Sequence, residues 1–374
     1  MFTNISKSRI LFVIPGNSGS KNLKAVHHYA IQAAYKGFNV AILGEVPSNP
    51  ELQPLYFIDK YASSSRNFFG RIIERLNIYQ AALYEFKPDI VHIINHLGVF
   101  LLPIVTSYNC KMHPKMILDI RTMATSRWQH KIFRTLKPIN RFGFDHVFAL
   151  NKTIINYYLP NNKRTSLLPL GYDQNYFHPE GNNLKFSSGE RLSCIYYGTM
   201  DRVRGLEVLI NGLIKALEKG VDLEANLVGE GNDKERLKHL VPKAYKKRIR
   251  FHRFFDQQYL AKFIKKHHLG LAYIPVKHVF DANLPLKTVE MIASGLPVLA
   301  TDTQGNKEVI RDKTAGFVVK DDPLAICEGI ISASRGEGPM CVSPVNRATT
   351  VQAYTWPELA SNYLFPIYED LLKK

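Results

Sequence analysis

The chain has 374 residues, of which 45% are hydrophobic and 22% are charged. This length is typical of two domains of roughly 150 to 200 residues each, and this composition excludes disordered, collagen-like and coiled-coil proteins. The formal net charge of +17 indicates an anionic partner, such as a phosphate-bearing ligand, a nucleic acid or an acidic lipid surface.

Apolar runs of strand length alternate with helical patterns from the beginning of the chain. The predicted strands are Ile10–Pro15, Asn39–Leu43, Ile90–Ile94, Met116–Ile120 and His146–Leu150. Helices such as Leu23–Tyr35 and Arg71–Phe86 separate them. This alternation predicts βαβ units around a parallel sheet, and we assign residues 1–178 to one doubly wound domain.

The polar stretch 178–190 predicts a linker, after which the alternation resumes. The next predicted strands are Cys194–Tyr197, Ala225–Val228, Arg248–His252, Gly270–Ile274 and Pro297–Ala300, and the helices are Gly205–Leu217, Leu286–Ala293 and Gly305–Arg311. They predict a second doubly wound domain over residues 190–352. Within the last segment, 353–374, Trp356–Leu372 is an amphipathic helix that we expect to pack back on the first domain.

Glycine-containing loops follow two of these strands. Open parallel sheets bind ligands at this edge, where loops run into helix N-termini with unpaired N–H groups. Gly16 and Gly19 follow the first strand, but the third glycine and the acidic residue of a dinucleotide-binding motif are missing. Gly229 and Gly231 follow a strand of the second domain and on their own indicate only a turn.

Two arginines lie in the loop after Cys194–Tyr197. Arg202 and Arg204 precede a predicted helix N-terminus, and paired guanidinium groups can bind a diphosphate through charge-assisted hydrogen bonds. A solvated basic loop is the alternative, and this segment alone favours that alternative.

The segment 281–298 is the most informative. Pro285 suits the first position of a helix and Gly295 suits its end. Lys287 and Glu290 then share one face of this helix. They can form an exposed ion pair, but the other residues of the helix are too apolar for much exposure, so a buried Glu290 needs a partner.

In their order and spacing, these segments resemble the GT-B glycosyltransferases, specifically the retaining nucleotide-sugar enzymes of glycosyltransferase family 4 (glycosyl transferases group 1). The resemblance is carried by the Gly16/Gly19 loop, Lys36–Val40, Pro88–His92, Leu168–Asp173, Phe177, Gly198–Gly205, Val228–Gly231, Glu290–Thr301 and the helix that begins at Trp356. It implies an α/β fold of GT-B type, with two doubly wound Rossmann-like domains facing across a cleft and a C-terminal helix crossing back to the first domain.

The resemblance also implies roles for individual residues. Arg204 stands where the family places a basic residue on the donor diphosphate, and Glu290 stands where the second glutamate of the family's E-x7-E motif holds the ribose hydroxyls. The turn before Glu290 offers backbone N–H groups to the phosphate, and residues 229–231 and 252–254 lie near the base. The predicted donor-binding residues are Gly16, Gly19, Gly198, Thr199, Arg202, Arg204, Gly229, Gly231, Arg253, Asn283, Leu284, Leu286, Lys287 and Glu290.

The sequence departs from the family pattern at two positions. Ala282 stands in place of the first glutamate of E-x7-E, with Asp281 and Asn283 beside it. Thr199 stands in place of the other basic residue on the diphosphate. The basic residues that can compensate are Arg202, Lys287 and Arg253.

We predict that Arg204 and Lys287 stabilise the leaving nucleoside diphosphate, because fixed cations and helix dipoles can do this without a metal ion or another cofactor. Glu290 completes the predicted catalytic set. In the first domain, His96 and Asp119 follow predicted strands and are further catalytic candidates, although residues at such positions are more often structural.

The charge distribution bears on the acceptor. Residues 1–180 contain 21 Lys and Arg against 10 Asp and Glu, and residues 181–374 contain 28 against 22. Two segments of the more basic half, 66–75 and 121–141, mix basic with apolar residues, a pattern that suits an anionic membrane surface. Solvated positive charge explains these segments equally well.

The compartment follows from what the sequence lacks. The longest apolar run, 97–108, is shorter than a membrane span, and residues 1–9 show no secretory signal. The four cysteines are Cys110, Cys194, Cys327 and Cys341. They lie too far apart in the sequence to indicate a zinc site or a disulfide framework. We expect a cytoplasmic protein.

The family resemblance implies the predicted function, which is transfer of a sugar, with retention, from a UDP- or GDP-sugar to a glycan or lipid-linked acceptor in cell-surface polysaccharide or glycolipid synthesis. A non-catalytic nucleotide-sugar-binding subunit and a GT-B-type sugar-nucleotide epimerase are the alternatives. An epimerase should show paired carboxylates and a cleft histidine, which the sequence does not place. We expect no specific nucleic-acid partner, and the incomplete glycine motif disfavours a dinucleotide oxidoreductase.

Overall fold

The computed structural model describes residues 8–14, 21–44, 56–58, 68–96, 99, 101–109, 113–121, 143–158, 164–180, 186–281 and 284–373. The chain divides into two compact units. Residues 1–170 together with 356–374 form the first unit, and residues 171–355 form the second. Each unit contains one parallel sheet with a hydrophobic core on either face, which confirms the predicted doubly wound fold class.

Seven parallel strands form the sheet of the first unit. In chain order they are β1 (Arg9–Val13), β2 (Asn39–Leu43), β3 (Tyr56–Ile58), β4 (Ile90–Ile94), β5 (Lys115–Ile120), β6 (His146–Ala149) and β7 (Thr165–Leu167). Their order across the sheet is β3-β2-β1-β4-β5-β6-β7. Ile10 and Phe12 of β1 pack in one core and Leu11 and Val13 in the other, so the whole strand must be apolar.

The helices described for this unit ahead of its C-terminal segment are α1 (Lys21–Tyr35), α2 (Phe68–Phe86), α3 (Leu101–Asn109) and α4 (Lys152–Tyr158). Five strands and the helices α1 and α2 match predicted elements, with ends shifted by a few residues. The strands β3 and β7 were not predicted, because three residues are too few to show an apolar period. In the part of the chain that the structure describes, no helix is both long and apolar enough to cross a membrane.

Six parallel strands form the sheet of the second unit. They are β8 (Leu192–Tyr197), β9 (Leu223–Val228), β10 (Ile249–His252), β11 (Leu269–Ala272), β12 (Val298–Thr301) and β13 (Gly316–Val319). Their order is β10-β9-β8-β11-β12-β13, which is the strand order of the Rossmann fold. The helices are α5 (Glu207–Glu218), α6 (Lys234–Leu240), α7 (Gln257–Ile264), α8 (His278–Asp281), α9 (Leu286–Ala293), α10 (Gln304–Val309), α11 (Pro323–Ser334) and α12 (Pro344–Thr349).

The boundary between the units falls after Leu170, earlier than the predicted end of the first domain at residue 178. Tyr172 and Phe177 are buried in a core of the second unit, and Tyr172 also pairs with Thr355 in an isolated parallel bridge. These apolar contacts explain why the segment after Leu170 belongs to the second unit.

The C-terminal segment packs into the core of the first unit. It consists of two α-helical stretches, Trp356–Leu359 and Phe365–Lys373, joined by the π-helical turn Ala360–Leu364, where the sequence predicts one continuous helix. Trp356 stacks on His28 with ring centroids 4.7 Å apart. Tyr368 contacts Phe38 edge to face at 5.9 Å.

A buried polar network also joins this segment to the first sheet. The Tyr368 hydroxyl donates to Nδ1 of His92 (2.7 Å), and Nε2 of His92 donates to Asp119 (3.2 Å). Nε of Arg121 donates to the same carboxylate oxygen (2.7 Å). Burial lowers the pKa of His92, so the ring is neutral. One donating and one accepting nitrogen then satisfy both of its partners.

We expect Tyr368→Phe to destabilise the first unit by about 1–3 kcal/mol, because it leaves Nδ1 of buried His92 without its donor. The midpoint of thermal unfolding should fall by about 2–4 °C for each kcal/mol. Tyr35→Phe is the matched control, since Tyr35 is 71% exposed. Equal midpoints for the two variants would show that the network contributes nothing to stability.

Candidate functional site

The second sheet has a point at which its strand order reverses, between β8 and β11. Open α/β sheets bind ligands outside the carboxyl ends of strands at such a point. The loop 198–205 follows β8, and the segment 273–285 follows β11 and leads into α9. The site predicted from the sequence therefore lies where the topology favours a ligand.

Thr199 and Arg204, both predicted donor-binding residues, are brought together in the loop after β8. Nε of Arg204 donates to Oγ1 of Thr199 (3.2 Å). The Arg204 guanidinium also lies over the ring of Phe280, 4.4 Å from its centroid. The arginine is thus held in a partly exposed position by a hydroxyl and an aromatic face.

Lys287 lies next to the same loop. Its ammonium donates to the carbonyl oxygen of Tyr273 (2.9 Å) and lies 4.5 Å from the ring centroid of Tyr196. A Cβ placed on Gly198 would be 3.4 Å from this nitrogen, so the ammonium is in close reach of the loop backbone. Burial raises the pKa of Tyr196, and the nearby charge of Arg204 opposes that rise.

Helix α9 directs its N-terminus to the same edge of the sheet. The structure starts the helix at Leu286, with Pro285 as the capping residue rather than at the predicted first helical position. The first N–H groups of a helix have no intrahelical acceptor and carry partial positive charge. Gly295 has a φ of +86° after the last turn, as predicted for a helix end.

A buried amide fixes the position of this helix. Oγ1 of Thr288 donates to Oδ1 of Asn306 (2.8 Å), and Nδ2 of Asn306 donates to the carbonyl of Thr301 (2.8 Å). Thr288 and Asn306 are both completely buried. The sequence analysis missed Asn306, because a lone asparagine near a helix N-terminus normally indicates only a local cap.

Glu290 has the partner that its apolar helix requires. The Tyr197 hydroxyl donates to Oε2 of Glu290 at 2.6 Å and lies 3.1 Å from the carbonyl oxygen of Lys287. Burial and the neighbouring Glu290 charge raise the pKa of Tyr197 well above its usual value, so the hydroxyl stays protonated. Tyr197 was not predicted as a site residue, because an aromatic residue at the end of a buried strand resembles any other core position.

Gly229 and Gly231 have a packing role. A Cβ on Gly229 would lie 2.0 Å from the carbonyl oxygen of Gly198, and a Cβ on Gly231 would lie 2.3 Å from the carbonyl carbon of Met200. Only glycine therefore permits the contact between this loop and the loop after β8. Their predicted contact with a ligand stays a prediction.

The other predicted donor-binding residues are spread around this centre. Arg202 and Arg253 are exposed, and Leu284 and Leu286 pack partly buried against a core of the second unit. Asp281, which flanks the missing glutamate position, accepts a hydrogen bond from the backbone N–H of Gln304 (2.9 Å). Gly16, Gly19, Ala282 and Asn283 lie outside the described residues.

The two candidates in the first unit differ in their surroundings. His96 follows β4, donates from Nδ1 to the carbonyl of Ile94 (2.8 Å), and has its pKa lowered to about 4 by burial, so it is neutral at neutral pH. Asp119 is completely buried in the network with His92 and Arg121. A carboxylate enclosed in this way has no surface to offer a substrate, which favours a structural role for Asp119.

A metal site needs several ligating side chains close together. Among the residues that the structure describes, no three His, Cys, Asp or Glu side chains come together in a way that would hold a metal ion. The predicted independence of metal stays a prediction, because a substrate diphosphate can itself bring a metal ion.

Comparison with known proteins shows which proteins the chain resembles. Residues 191–335 match the family model of glycosyl transferases group 1, and no curated protein sequence matches the chain significantly. A glycosyltransferase from Rickettsia africae has a TM-score of 0.74 at 17% identity, over 98% of this chain and 99% of that chain. A sucrose-phosphate synthase from Thermosynechococcus elongatus has a TM-score of 0.69 at 17% identity, over 98% and 99%.

A third similar structure contains a ligand. The Anabaena protein HepE, solved in complex with UDP and glucose, has a TM-score of 0.69 at 12% identity, over 97% of this chain and 98% of that chain. The GT-B fold and the resemblance to group 1 glycosyl transferases, both predicted from the sequence, are confirmed. Fold and family match together support a glycosyltransferase.

Proposed function

We propose that the protein is a retaining glycosyltransferase that moves a sugar from a nucleoside-diphosphate sugar to a glycan or lipid-linked acceptor, without a metal ion. One observation carries this proposal. Arg204, Lys287 and the N-terminus of α9 surround a single loop at the switch point of the second sheet, and Glu290 follows on the same helix.

The chemistry of these groups suits a nucleoside diphosphate. Two cations and the partial positive charge of a helix N-terminus stabilise the negative charge that develops on the leaving diphosphate. The carboxylate of Glu290 can accept hydrogen bonds from ribose hydroxyls. Because Arg204 already contacts Thr199 and Phe280, its side chain needs little movement during the reaction.

UDP is the first donor nucleotide to test, because the similar HepE structure contains UDP. The fold does not select the acceptor, since a sucrose-phosphate synthase shares it. A lipid-linked acceptor at the cytoplasmic face of a membrane is supported by the basic excess of the first half. It is also supported by exposed apolar side chains on α2, where Ile73 is 60% and Tyr84 is 58% exposed.

We expect UDP or GDP, in a panel with ADP, CMP and NAD, to raise the melting temperature of the protein, since a ligand that binds only the native state stabilises it. Glu290→Ala and Lys287→Ala should each lower the affinity for this nucleotide by at least about tenfold, as measured by calorimetry. Lys243→Ala, which removes an exposed lysine of the same unit, is the control. If no nucleotide of the panel raised the melting temperature, the result would contradict the proposed nucleotide site.

Turnover of the identified nucleotide sugar should continue in excess EDTA, because fixed cations replace the metal. The product, followed by NMR, should keep the anomeric configuration of the donor. Loss of turnover in EDTA that is restored by Mg²⁺ would refute the metal-free mechanism. Nucleotide binding without hydrolysis or transfer would favour the non-catalytic subunit, and a changed sugar on the released nucleotide would favour an epimerase.

The protein should co-sediment with vesicles containing anionic lipid at physiological salt, and binding should weaken as salt is raised because the attraction is electrostatic. Vesicles of neutral lipid are the control. Absence of binding to the anionic vesicles would remove the membrane contact from the proposal and leave the nucleotide site unaffected.

A further inference from the structure

We propose that Tyr197 is a positioning residue that orients the carboxylate of Glu290 toward the ribose hydroxyls of the donor. This inference rests on the proposed function and adds a residue that the motifs of the sequence do not indicate. Tyr197 itself touches no reacting atom in this proposal and acts through Glu290.

The geometry of one hydroxyl group carries the inference. Tyr197 is the last residue of β8 and is only 7% exposed. Its hydroxyl donates to Oε2 of Glu290 at 2.6 Å, a short, charge-assisted hydrogen bond. The same oxygen lies 3.1 Å from the carbonyl oxygen of Lys287. One side chain on the sheet thus reaches two successive turns of α9.

The consequence for Glu290 is a loss of rotational freedom before any ligand binds. A glutamate on a helix has three side-chain torsions and loses considerable entropy when a ligand fixes it. A donor that holds Oε2 restricts the carboxylate in the free protein, so less of its freedom is lost when a ligand binds. Because burial and the Glu290 charge raise the pKa of Tyr197, this donor is present throughout the working pH range.

A purely structural role makes a different prediction. If the hydroxyl only held α9 against β8, its removal would displace Lys287 and the helix N-terminus together with Glu290. Binding of the diphosphate and binding of the ribose would then weaken equally. If the hydroxyl orients Glu290, only the contribution of the ribose hydroxyls should fall.

The experiment compares UDP with 2′,3′-dideoxy-UDP, or the corresponding GDP pair if GDP is the nucleotide that binds. Calorimetry measures both dissociation constants for the wild type, Tyr197→Phe, Glu290→Gln and the double variant. Tyr245→Phe, at a partly buried tyrosine in another core of the same unit, is the matched control. Circular dichroism and the thermal midpoint verify that each variant folds.

We expect Tyr197→Phe to lower the affinity for UDP by about tenfold and to change the affinity for the dideoxy analogue by less than about twofold. The double variant should bind UDP no more weakly than Glu290→Gln alone, since two residues that act through one contact are not additive. The ratio of the two affinities should be unchanged in Tyr245→Phe.

Two other results would overturn the inference. In one, Tyr197→Phe weakens the binding of UDP and of the dideoxy analogue equally, or weakens neither. This result would show that the hydroxyl does not act through Glu290, and it would leave the proposed function in place. A wild-type protein that binds neither UDP nor GDP would refute the proposed function, and the inference with it.

Discussion

The candidate site depends on the close approach of two loops at the carboxyl ends of β8 and β9. The backbone N–H of Gly198 donates to the carbonyl of Val228 (3.0 Å), and that of Met200 donates to the carbonyl of Glu230 (2.8 Å). These bonds extend the pairing of the strands into the loops, and the absence of a Cβ on Gly229 makes this possible. The loop that carries the predicted diphosphate contacts is therefore fixed by backbone packing.

Aromatic faces hold the two cations of this site. Lys287 lies over Tyr196 and Arg204 over Phe280, and contacts of this kind contribute about 0.5–2 kcal/mol each. Among the described residues, no carboxylate forms an ion pair with Arg204. An aromatic support fixes the direction of Arg204 without neutralising it, so the guanidinium charge stays effective toward an anionic ligand. The entropy lost in ordering these cationic side chains is then lost on folding rather than on ligand binding.

The features that sequence reasoning found are those that depend on local periodicity and special residues. Alternating apolar runs predicted both sheets. Gly295 predicted where α9 ends, and the helix has the predicted bounds Leu286–Ala293. The three-residue strands β3 and β7 carry no period of their own and form only because neighbouring strands offer an edge. The π-helical turn in the C-terminal segment likewise depends on packing in the core of the first unit.

The parts of the candidate site that the sequence did not indicate are contacts between residues far apart in the chain. Tyr197 and Glu290 are 93 positions apart, and Thr288 and Asn306 are 18 apart. Each pair joins a side chain of one element to a polar group of another, and no spacing within one sequence encodes such a pair. The sequence did state the requirement, since an apolar helix with a glutamate needs a partner, but the partner's identity follows only from the fold.

The buried hydroxyls of Tyr368 and Tyr197 show how the same chemistry serves different ends. Tyr368 donates to neutral His92, whose other nitrogen is bonded to a completely buried carboxylate. Every member of that chain of bonds is enclosed, so its free energy can only stabilise the first unit. Tyr197 donates to a carboxylate that is partly exposed. Of these two carboxylates, a ligand can reach the second and not the first, so the proposed role in ligand selection falls to the hydroxyl of Tyr197.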